Sequence, residues 1–481
     1  MPDDSAVAHA LFAGLKEFFG HPAGPRNSLT AEDTLLFLHI EKTAGTSVRE
    51  WLTRHFSTEE IFTTYNSERL GRVSERDVAG KRLIAGHFWG NHCHRLRRPY
   101  RLITWLRNPV ERSLSEYYAL KNLSQLHAVQ GPAVDLAQSL DLRACLSHDY
   151  YRWLRSDVQT RSLSYGFSSP DWEALPPAIA LQTAARTLLC ADGFGLLERM
   201  QESTDMLTWR YGWRPMQFDI HQNANRFRRR RRDLAEDDLA SAEQLNRLDS
   251  QLYALAVKVF DERVQEYLRD VARFTSECQM QPCSVFAEEG WIQRPYAEIR
   301  PQIAAILERR YQLQAMSIPR RTELRYTFDQ PLSGEGWHDR EGSHTLTQQM
   351  FRWTSRTRAE LDLPLCRQRE LRLCMRVLFS QETDFPVEIV VDGQSLPLSI
   401  RRSNDFTDLR SLLVEATIPP CGYWRTRLTT LALVMPDTFN PTRLNADSHD
   451  DRDLGCAIDW LHLRRPDIAV GDQDFQIARA A

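Results

Sequence analysis

The sequence predicts an α/β protein in which a P-loop-like parallel sheet flanked by helices is followed by an all-β sandwich domain. Over residues 34–275, short apolar runs alternate with segments of helical periodicity, as in a parallel sheet covered by helices. Over residues 323–470 the alternation is that of antiparallel strands. We expect the rest to be an N-terminal extension (1–33), a linker with a helix near 296–315 (276–322) and a tail (471–481).

The first part contains four predicted strands and three predicted helices. The strands are LLFLHI (35–40), KRLIAG (81–86), RLITWL (101–106) and FGLLE (194–198). A helix after the first strand carries Val48, Trp51, Leu52 and Phe56 on one face, and another opens at Pro109. Residues 242–272 carry apolar side chains at helical spacing and predict one long amphipathic helix.

The second part contains strands and one strong hairpin signal. RELRLCMRVLF (369–379) alternates, and TRLTTLALVMP and GCAIDWLHL add further strands. PVEIVVDGQSLPLSI (386–400) reads as two strands joined at Asp392 and Gly393, a dipeptide typical of tight hairpins.

Composition limits the possible partners and the compartment. The 481 residues include 61 basic and 64 acidic side chains, a formal charge of −3, so nucleic acid is not an expected partner and any anion site must be local. The nine cysteines are odd in number and scattered, which favours reduced buried thiols and a cytoplasmic location. Neither the Cys278 and Cys283 pair nor HCH at 92–94 has a partner cluster, so we expect no zinc. We also expect no transmembrane segment or signal peptide.

Three polar loops follow predicted strands, at the sheet edge where ligands of open α/β sheets collect. They are EKTAGTS (41–47), GHFWG (86–90) and RNPVERSLSEYY (107–118). In the first loop Lys42 supplies a charge, Gly45 permits close approach, and the helix N–H groups from about Thr46 favour an anion, so the loop predicts a phosphate cradle. The order is not that of GxxxxGK[ST], and a polar turn with a surface lysine remains the alternative.

The third loop predicts a second phosphate site. Arg107 stands directly after a buried strand, and Ser115 lies on the helix that follows. A guanidinium with a helix hydroxyl suits a phosphate, whereas we expect Arg112 to pair with Glu116 or Glu111. Two phosphate sites on one sheet indicate a nucleotide that is phosphorylated at both ends.

These motifs resemble a known family. FLHIEKTAGTS followed by LITWLRNPVERSLSEYY is similar to the carbohydrate sulfotransferases of the heparan sulfate 2-O-sulfotransferase type, whose donor is 3′-phosphoadenosine-5′-phosphosulfate (PAPS). The resemblance spans residues 34–265, and the further matches are GH (86–87), QTRSLSYG (159–166), FGLLERMQES (194–203) and NRLDSQLYALAVKVF (246–260). It implies that residues 34–275 form a PAPS-dependent sulfotransferase domain.

The resemblance also implies roles for individual residues. The 5′-phosphosulfate would be held by Lys42, Thr43, Ala44, Gly45, Thr46 and Ser47, and the 3′-phosphate by Arg107 and Ser115. His87 would be the catalytic base, since a histidine's ordinary pKa near 6.5 suits that role. A structural histidine is the alternative, with His92 and His94 as weaker candidates. Lys42 would also stabilise the leaving bisphosphate, adenosine 3′,5′-bisphosphate, without a metal. The family usually has proline where Glu41 stands.

Other features keep several interpretations. The arginines at 228–232 are a solvated helix start, a flap over the cofactor phosphate, or a grip on an acidic acceptor, and Thr160 and Arg161 are expected in the same crevice. The second part resembles, more loosely, a jelly-roll-like sandwich attached to bacterial glycan-modifying enzymes. Its Trp337 and Trp353 are core residues or platforms for sugar rings.

The function predicted is that of a cytoplasmic, bacterial carbohydrate O-sulfotransferase that uses PAPS, no metal, and a glycan or glycolipid acceptor. In-line displacement with a histidine base is the expected mechanism. The alternatives are a P-loop-like phosphotransferase, which would require magnesium, and a non-catalytic glycan-binding protein. The sequence predicts neither the acceptor sugar and hydroxyl position nor the oligomeric state.

Overall fold

The computed structural model describes residues 29–30, 32–64, 75–87, 100–122, 131–164, 176–216, 230–278, 294–342, 350–380, 386–403, 409–444, 448 and 450–466. The chain divides into two compact units. The first comprises residues 1–49 and 60–306, and the second comprises residues 50–59 and 307–481. The assignment of residues 50–59 to the second unit has no counterpart in the sequence pattern.

The first unit contains a five-stranded parallel sheet with the order β2-β3-β1-β4-β5. Its strands are β1 (Thr34–Leu38), β2 (Ile61–Thr64), β3 (Leu83–Gly86), β4 (Tyr100–Leu106) and β5 (Gly193–Leu196). All residues of β1 and β3 are buried, as expected for parallel strands covered on their faces. The four predicted strands are present, and β2 was not predicted because its sequence, IFTT, is short and half threonine. With the antiparallel sheets of the second unit, this sheet confirms the predicted fold class.

Helices connect and flank the strands. They are α1 (Gly45–Thr53), α2 (Glu75–Val78), α3 (Pro109–Lys121), α4 (Pro132–Ser139), α5 (Leu142–Ser147), α6 (Asp149–Arg155), α7 (Val158–Leu163), α8 (Pro177–Cys190), α9 (Met200–Tyr211), α10 (Glu236–Leu245), α11 (Arg247–Glu277) and α12 (Tyr296–Ala315). The helix α12 lies where the linker helix was predicted. Within the described ranges, no helix has the length and apolar character needed to cross a membrane.

Two helix predictions need correction. The single helix expected over residues 242–272 is two helices, because Asn246 has φ −118° and ψ 37° and separates α10 from α11. The Asn246 side chain donates to the Ala242 carbonyl at 2.7 Å, so it satisfies the end of α10 while it interrupts the helical path. In addition, α1 ends at Thr53, so Phe56 is buried beyond the helix and not on its face.

The second unit contains two antiparallel sheets. A seven-stranded sheet has the order β13-β14-β10-β16-β8-β7 with β6 paired to β16, and a four-stranded sheet has the order β12-β11-β15-β9. The strands are β6 (Leu324–Thr327), β7 (Trp337–Glu341), β8 (Phe351–Thr354), β9 (Arg358–Leu363), β10 (Leu371–Ser380), β11 (Glu388–Val391), β12 (Gln394–Ser395), β13 (Leu398–Ser403), β14 (Leu409–Ile418), β15 (Thr429–Val434) and β16 (Ala457–Arg464). One apolar core contains residues of both sheets, Met375 and Leu431 among them.

Trp337 and Trp353 are core residues of this unit. Trp337 is 1% exposed, and its indole N–H donates to the Glu360 carbonyl at 2.8 Å. Trp353 is 6% exposed and packs against Phe439. The core interpretation is therefore confirmed, and neither ring is available as a platform for a sugar.

The predicted hairpin is present, but its second strand is shorter than expected. Strands β11 and β12 pair with Val391 opposite Gln394, and Asp392 and Gly393 between them have φ of 51° and 86°. Two consecutive left-handed residues are typical of a type I′ turn. The pairing ends at Ser395, and β13 pairs with β14 of the larger sheet instead. Pro397, which has no N–H to donate, lies between β12 and β13.

The cysteines only partly fit the prediction of buried thiols. Among the described residues, Cys145, Cys366 and Cys456 are free and buried. Cys190 and Cys278 are free but exposed, because each lies at the last turn or the end of a helix. Cys93 and Cys283 lie outside the described residues.

Candidate functional site

The ends of three neighbouring strands bring the predicted loops together. Strand β1 lies between β3 and β4, with Leu38 opposite both Gly86 and Thr104. The His39 N–H donates to the Gly86 carbonyl at 2.8 Å, and the Thr104 hydroxyl donates to the Leu38 carbonyl at 2.8 Å. Because parallel strands end at one edge, the chain that follows each strand emerges at the same place.

The loop after β1 is a tight turn in an unusual conformation. Lys42 and Ala44 have φ of 65° and 67°. Both values lie in the left-handed region, which costs each residue other than glycine about 1–3 kcal/mol of conformational free energy. Thr43 is fully buried, and its hydroxyl donates to the Ile40 carbonyl at 2.9 Å. This hydrogen bond stabilises the turn. The helix α1 then begins at Gly45.

The side chains and N–H groups of this loop face different surroundings. Lys42 is exposed, and Thr46 and Ser47 are half-buried in the first turn of α1. The first N–H groups of any α-helix have no partner within the helix and carry a partial positive charge. Beside Lys42, this helix end can hold an anion.

A histidine that the sequence reasoning did not single out links the loop to His87. His39 is 8% exposed, and its ring stacks on the His87 ring with 4.3 Å between centroids. A Cβ atom at Gly45 would lie 1.7 Å from His39 Cδ2, so the glycine is required by this ring. Burial, with the nearby charges of His87, Arg49 and Lys42, lowers the pKa of His39 to about 3. His39 is therefore a neutral spacer.

His87 lies directly after β3 and has a defined tautomer. Its Nδ1 is 3.0 Å from the His39 carbonyl oxygen. A carbonyl can only accept, so Nδ1 carries the hydrogen and the lone pair of the neutral ring lies on Nε2. Such a ring can accept a proton at Nε2. The rest of GHFWG, with His92 and His94, lies outside the described residues.

Arg107 reaches the first loop from β4. Its Nη1 donates to the Lys42 carbonyl at 3.0 Å. Gln159 holds the Arg107 backbone from both sides: its Oε1 accepts from the Arg107 N–H, and its Nε2 donates to the Arg107 carbonyl, both at 2.9 Å. Ser115 is half-buried on α3. The arginine therefore has a fixed backbone and a guanidinium beside the loop.

The start of α3 is held by one amide side chain, that of Asn108, and by one carboxylate, that of Glu198. Asn108 caps the helix by accepting from the Glu111 N–H at 3.2 Å. The Asn108 N–H donates to Glu198 at 2.8 Å, and the second Glu198 oxygen accepts from the Tyr253 hydroxyl at 2.8 Å. Glu198 is therefore already hydrogen-bonded at both oxygens.

Two aspartates hold α7 and α11 together by capping each other's helix. Asp157 accepts from the N–H groups of Leu248 and Asp249 at 2.7 and 3.0 Å. Asp249 accepts from the N–H groups of Gln159 and Thr160 at 3.0 and 2.7 Å. Burial, and then the charge of Asp249, raises the pKa of Asp157 to about 7.

The two residues expected in the crevice beside this pair have structural contacts. The Thr160 hydroxyl donates to Asp249 at 2.8 Å, and Thr160 is fully buried. Arg161 is 4% exposed and donates to the Trp153 carbonyl at 2.7 Å. The expectation that they line the crevice is therefore wrong, because both side chains satisfy buried groups of the helical layer. Gln159, directly before them, contacts the site through the Arg107 backbone.

A chain of four charged residues connects α3 and α6 to the first loop. Arg112 pairs with Glu116 at 2.9 Å, as predicted, and both are buried. Arg155 pairs with the other Glu116 oxygen at 2.8 Å and with Glu41 at 2.8 Å. Burial alone would raise the pKa of Glu116, but the charges of Arg155 and Arg112 outweigh it and lower this pKa. All of these contacts except the Arg112 pair are invisible to local pattern reasoning.

The described part of the arginine run is a helix start. Residues Arg231–Asp233 form a single 3-10 turn before α10. The Arg231 N–H donates to Glu111 at 2.8 Å, and its guanidinium pairs with Glu243 at 2.9 Å. This agrees with the first of the three interpretations for Arg230, Arg231 and Arg232, which are exposed. Arg228 and Arg229 lie outside the described residues.

Sequence signals existed for some of the missed residues. His39 is the last but one residue of the predicted first strand, next to the lysine loop, and a polar residue near a strand end is a candidate for a site. Gln159 begins the QTRSLSYG match. Arg155 had no signal, because only the packing of α6 brings it to Glu41.

Comparison with known proteins identifies the family. A model of the sulfotransferase family matches residues 28–313, more than half of the chain. No curated protein matches the sequence. Among solved structures, mouse sulfotransferase SULT7A1 complexed with PAP is 13% identical, with 47% of this chain and 70% of that chain covered and a TM-score of 0.21. A family 35 carbohydrate binding module from Clostridium thermocellum is 10% identical, with 30% and 98% covered and a TM-score of 0.21. Similarities this low carry no argument, and the family match alone shows that the chain belongs to the sulfotransferase family.

Proposed function

We propose that this sulfotransferase transfers a sulfuryl group from PAPS to a hydroxyl of a carbohydrate acceptor, either a glycan or a glycolipid. One observation carries the proposal. The lysine loop with the start of α1, the guanidinium of Arg107 and the Nε2 lone pair of His87 belong to adjacent strand ends and are joined by short contacts. An anion-binding surface and a proton acceptor thus share one edge of the sheet.

The residues at this edge suit a donor with two phosphate groups. Lys42, Arg107 and the helix N–H groups are all cationic or hydrogen-bond donors. Two carboxylates close to them are engaged, since Glu41 pairs with Arg155 and Glu198 accepts from Asn108 and Tyr253. The set therefore favours an anion without a metal ion.

The assignment of each phosphate follows the motif resemblance. The loop residues Lys42, Thr43, Ala44, Gly45, Thr46 and Ser47 would hold the 5′-phosphosulfate. Arg107 and Ser115 would hold the 3′-phosphate, with adenosine 3′,5′-bisphosphate as the product. When bound, the donor supplies the activated sulfuryl group.

The protein would act on the reaction through a base and a cation. Nε2 of His87 takes the proton of the acceptor hydroxyl, and the Nδ1–H bond to the His39 carbonyl selects the neutral tautomer whose lone pair lies on Nε2. General base catalysis of this kind contributes about 10²–10⁴-fold in rate. Lys42 stabilises the negative charge that develops on the leaving oxygen, and loss of one such donor costs about 10²–10³-fold.

The test is transfer of labelled sulfate from PAPS to a panel of glycans, glycolipids, phenols and amines. We expect a glycan or glycolipid to accept the label, and His87→Asn to lower the rate at least about 100-fold. His148→Asn is the matched control, because His148 is an exposed helix cap and asparagine caps equally well.

Two results would contradict the proposal. Label found only on phenols or amines would refute the carbohydrate acceptor. An undiminished rate in His87→Asn would refute the assignment of the base.

A further inference from the structure

Glu41 occupies a position where the backbone of the phosphate loop needs support. The turn runs from Ile40 to Thr43, with Glu41 second and Lys42 third. A left-handed third residue, such as Lys42 at φ 65°, is typical of turns with glycine there and with proline at the second position. This chain has neither residue, so the backbone preferences of Glu41 and Lys42 do not favour the conformation that presents Lys42 and the start of α1.

The Glu41 side chain is held from outside the turn. Its Oε2 accepts from Arg155 Nη1 at 2.8 Å. The same Nη1 lies 2.8 Å from Glu116 Oε1, and the other Glu116 oxygen pairs with Arg112. Glu116 and Arg112 are 3% and 0% exposed, so Arg155 is anchored in the packed interior of the helical layer. A fixed cation therefore reaches the second residue of the turn.

We infer that Glu41 is a positioning residue, and that its ion pair with Arg155 holds the phosphate loop in the conformation that binds the donor. Glu41 does not itself contact the donor in this assignment. The inference rests on the proposed function, since the loop is the proposed site of the 5′-phosphosulfate.

Electrostatics and positioning predict opposite effects for the loss of Glu41. A carboxylate beside an anion site repels the anion, so removal of its charge should by itself tighten binding. If the carboxylate instead orders the loop, its removal should weaken binding, because the left-handed Lys42 conformation must then be recovered on binding. Since Glu41 is 44% exposed, its pair with Arg155 should contribute little to global stability.

The experiment is calorimetric titration of the full chain with adenosine 3′,5′-bisphosphate, beside thermal unfolding of each variant. We expect Glu41→Ala to bind about 3- to 10-fold more weakly than wild type, with an unchanged melting temperature. Glu41→Pro should return the affinity to within about 2-fold of wild type, because the proline ring supplies the restriction that the ion pair otherwise provides. Asp237→Ala, which removes an exposed pair with Arg143 elsewhere, is the matched control.

A second set tests the partner. Arg155→Met should weaken binding as Glu41→Ala does, and the double variant should bind no more weakly than Arg155→Met alone. Equal or tighter binding by Glu41→Ala, or a Glu41→Pro variant as weak as Glu41→Ala, would overturn the inference and leave the proposed function intact. Absence of binding by the wild-type chain would refute the proposed donor, and the inference with it.

Discussion

Replacement of Gly45 by alanine tests how tightly the loop is packed against the histidine pair. The backbone at Gly45 is not left-handed, so alanine is permitted there, and in a helix alanine is more favourable than glycine by about 0.5–1 kcal/mol. If only the backbone mattered, the Gly45→Ala variant would be more stable than wild type.

The structure predicts the opposite sign. A Cβ at Gly45 would lie 1.7 Å from His39 Cδ2 and 1.8 Å from Nε2. The ring would have to retreat by about 2 Å to reach the ~3.5–4.0 Å of ordinary carbon contact. The His39 ring cannot retreat freely, because it stacks on the His87 ring and also on the Phe37 ring, whose centroid is 5.7 Å away. Overpacking of this kind costs about 1–3 kcal/mol, so a net loss of about 1–2 kcal/mol is expected.

The assay is urea unfolding of Gly45→Ala, His39→Ala and the double variant. In the His39→Ala background the added methyl group meets no ring, so Gly45→Ala should become neutral or stabilising. Gly131→Ala is the matched control, because a Cβ there meets no atom within 4 Å. A Gly45→Ala variant as stable as wild type, or more stable, would refute the packing argument.

Three further predictions concern burial and charge. Because the folded state raises the pKa of Asp157 to about 7 through burial and Asp249, it binds a proton that the unfolded state has released above pH ~4, and stability falls as pH rises from about 4 to 7. Asp157→Asn keeps both caps and tolerates φ 47°. In urea unfolding it should be more stable than wild type by about 1–2 kcal/mol at pH 8 but nearly equal at pH 4, and the same difference at both pH values would contradict this. Gln159→Ala removes both of its hydrogen bonds to the Arg107 backbone and should lower the free energy of unfolding by about 1–3 kcal/mol, also by urea unfolding. No loss of stability would mean that these two hydrogen bonds contribute nothing to it. Trp337→Ala should cost about 3–5 kcal/mol in the second unit, and retained stability would argue against its place in the core.

The strands and the strand-end motifs could be predicted because their signals are local. Apolar runs such as LLFLHI mark buried parallel strands, and Asp392 with Gly393 marks a hairpin through backbone preference alone. Adjacent strand ends then bring Lys42, His87 and Arg107 to one edge. None of these inferences needs knowledge of packing.

The remaining features depend on tertiary contacts. Asn246 divides two helices because its side chain bonds to Ala242 and Ser113, a choice that apolar periodicity does not reveal. The neutral state of His39 follows from its burial, and the pairing of Glu41 with Arg155 joins residues 114 positions apart. Gly45 illustrates this dependence on tertiary contacts. The sequence predicted that this glycine allows an anion to approach the backbone, whereas the structure shows that the His39 ring leaves no room for a Cβ atom there.

The measurement that tests the central claim most directly is calorimetric titration with adenosine 3′,5′-bisphosphate, with and without EDTA. We expect binding that is independent of metal. Lys42→Ala and Arg107→Ala should each weaken it about 10- to 100-fold, as expected for the loss of a charge-assisted hydrogen bond. No binding, or binding of ATP only in the presence of magnesium, would contradict the donor assignment and favour a phosphotransferase.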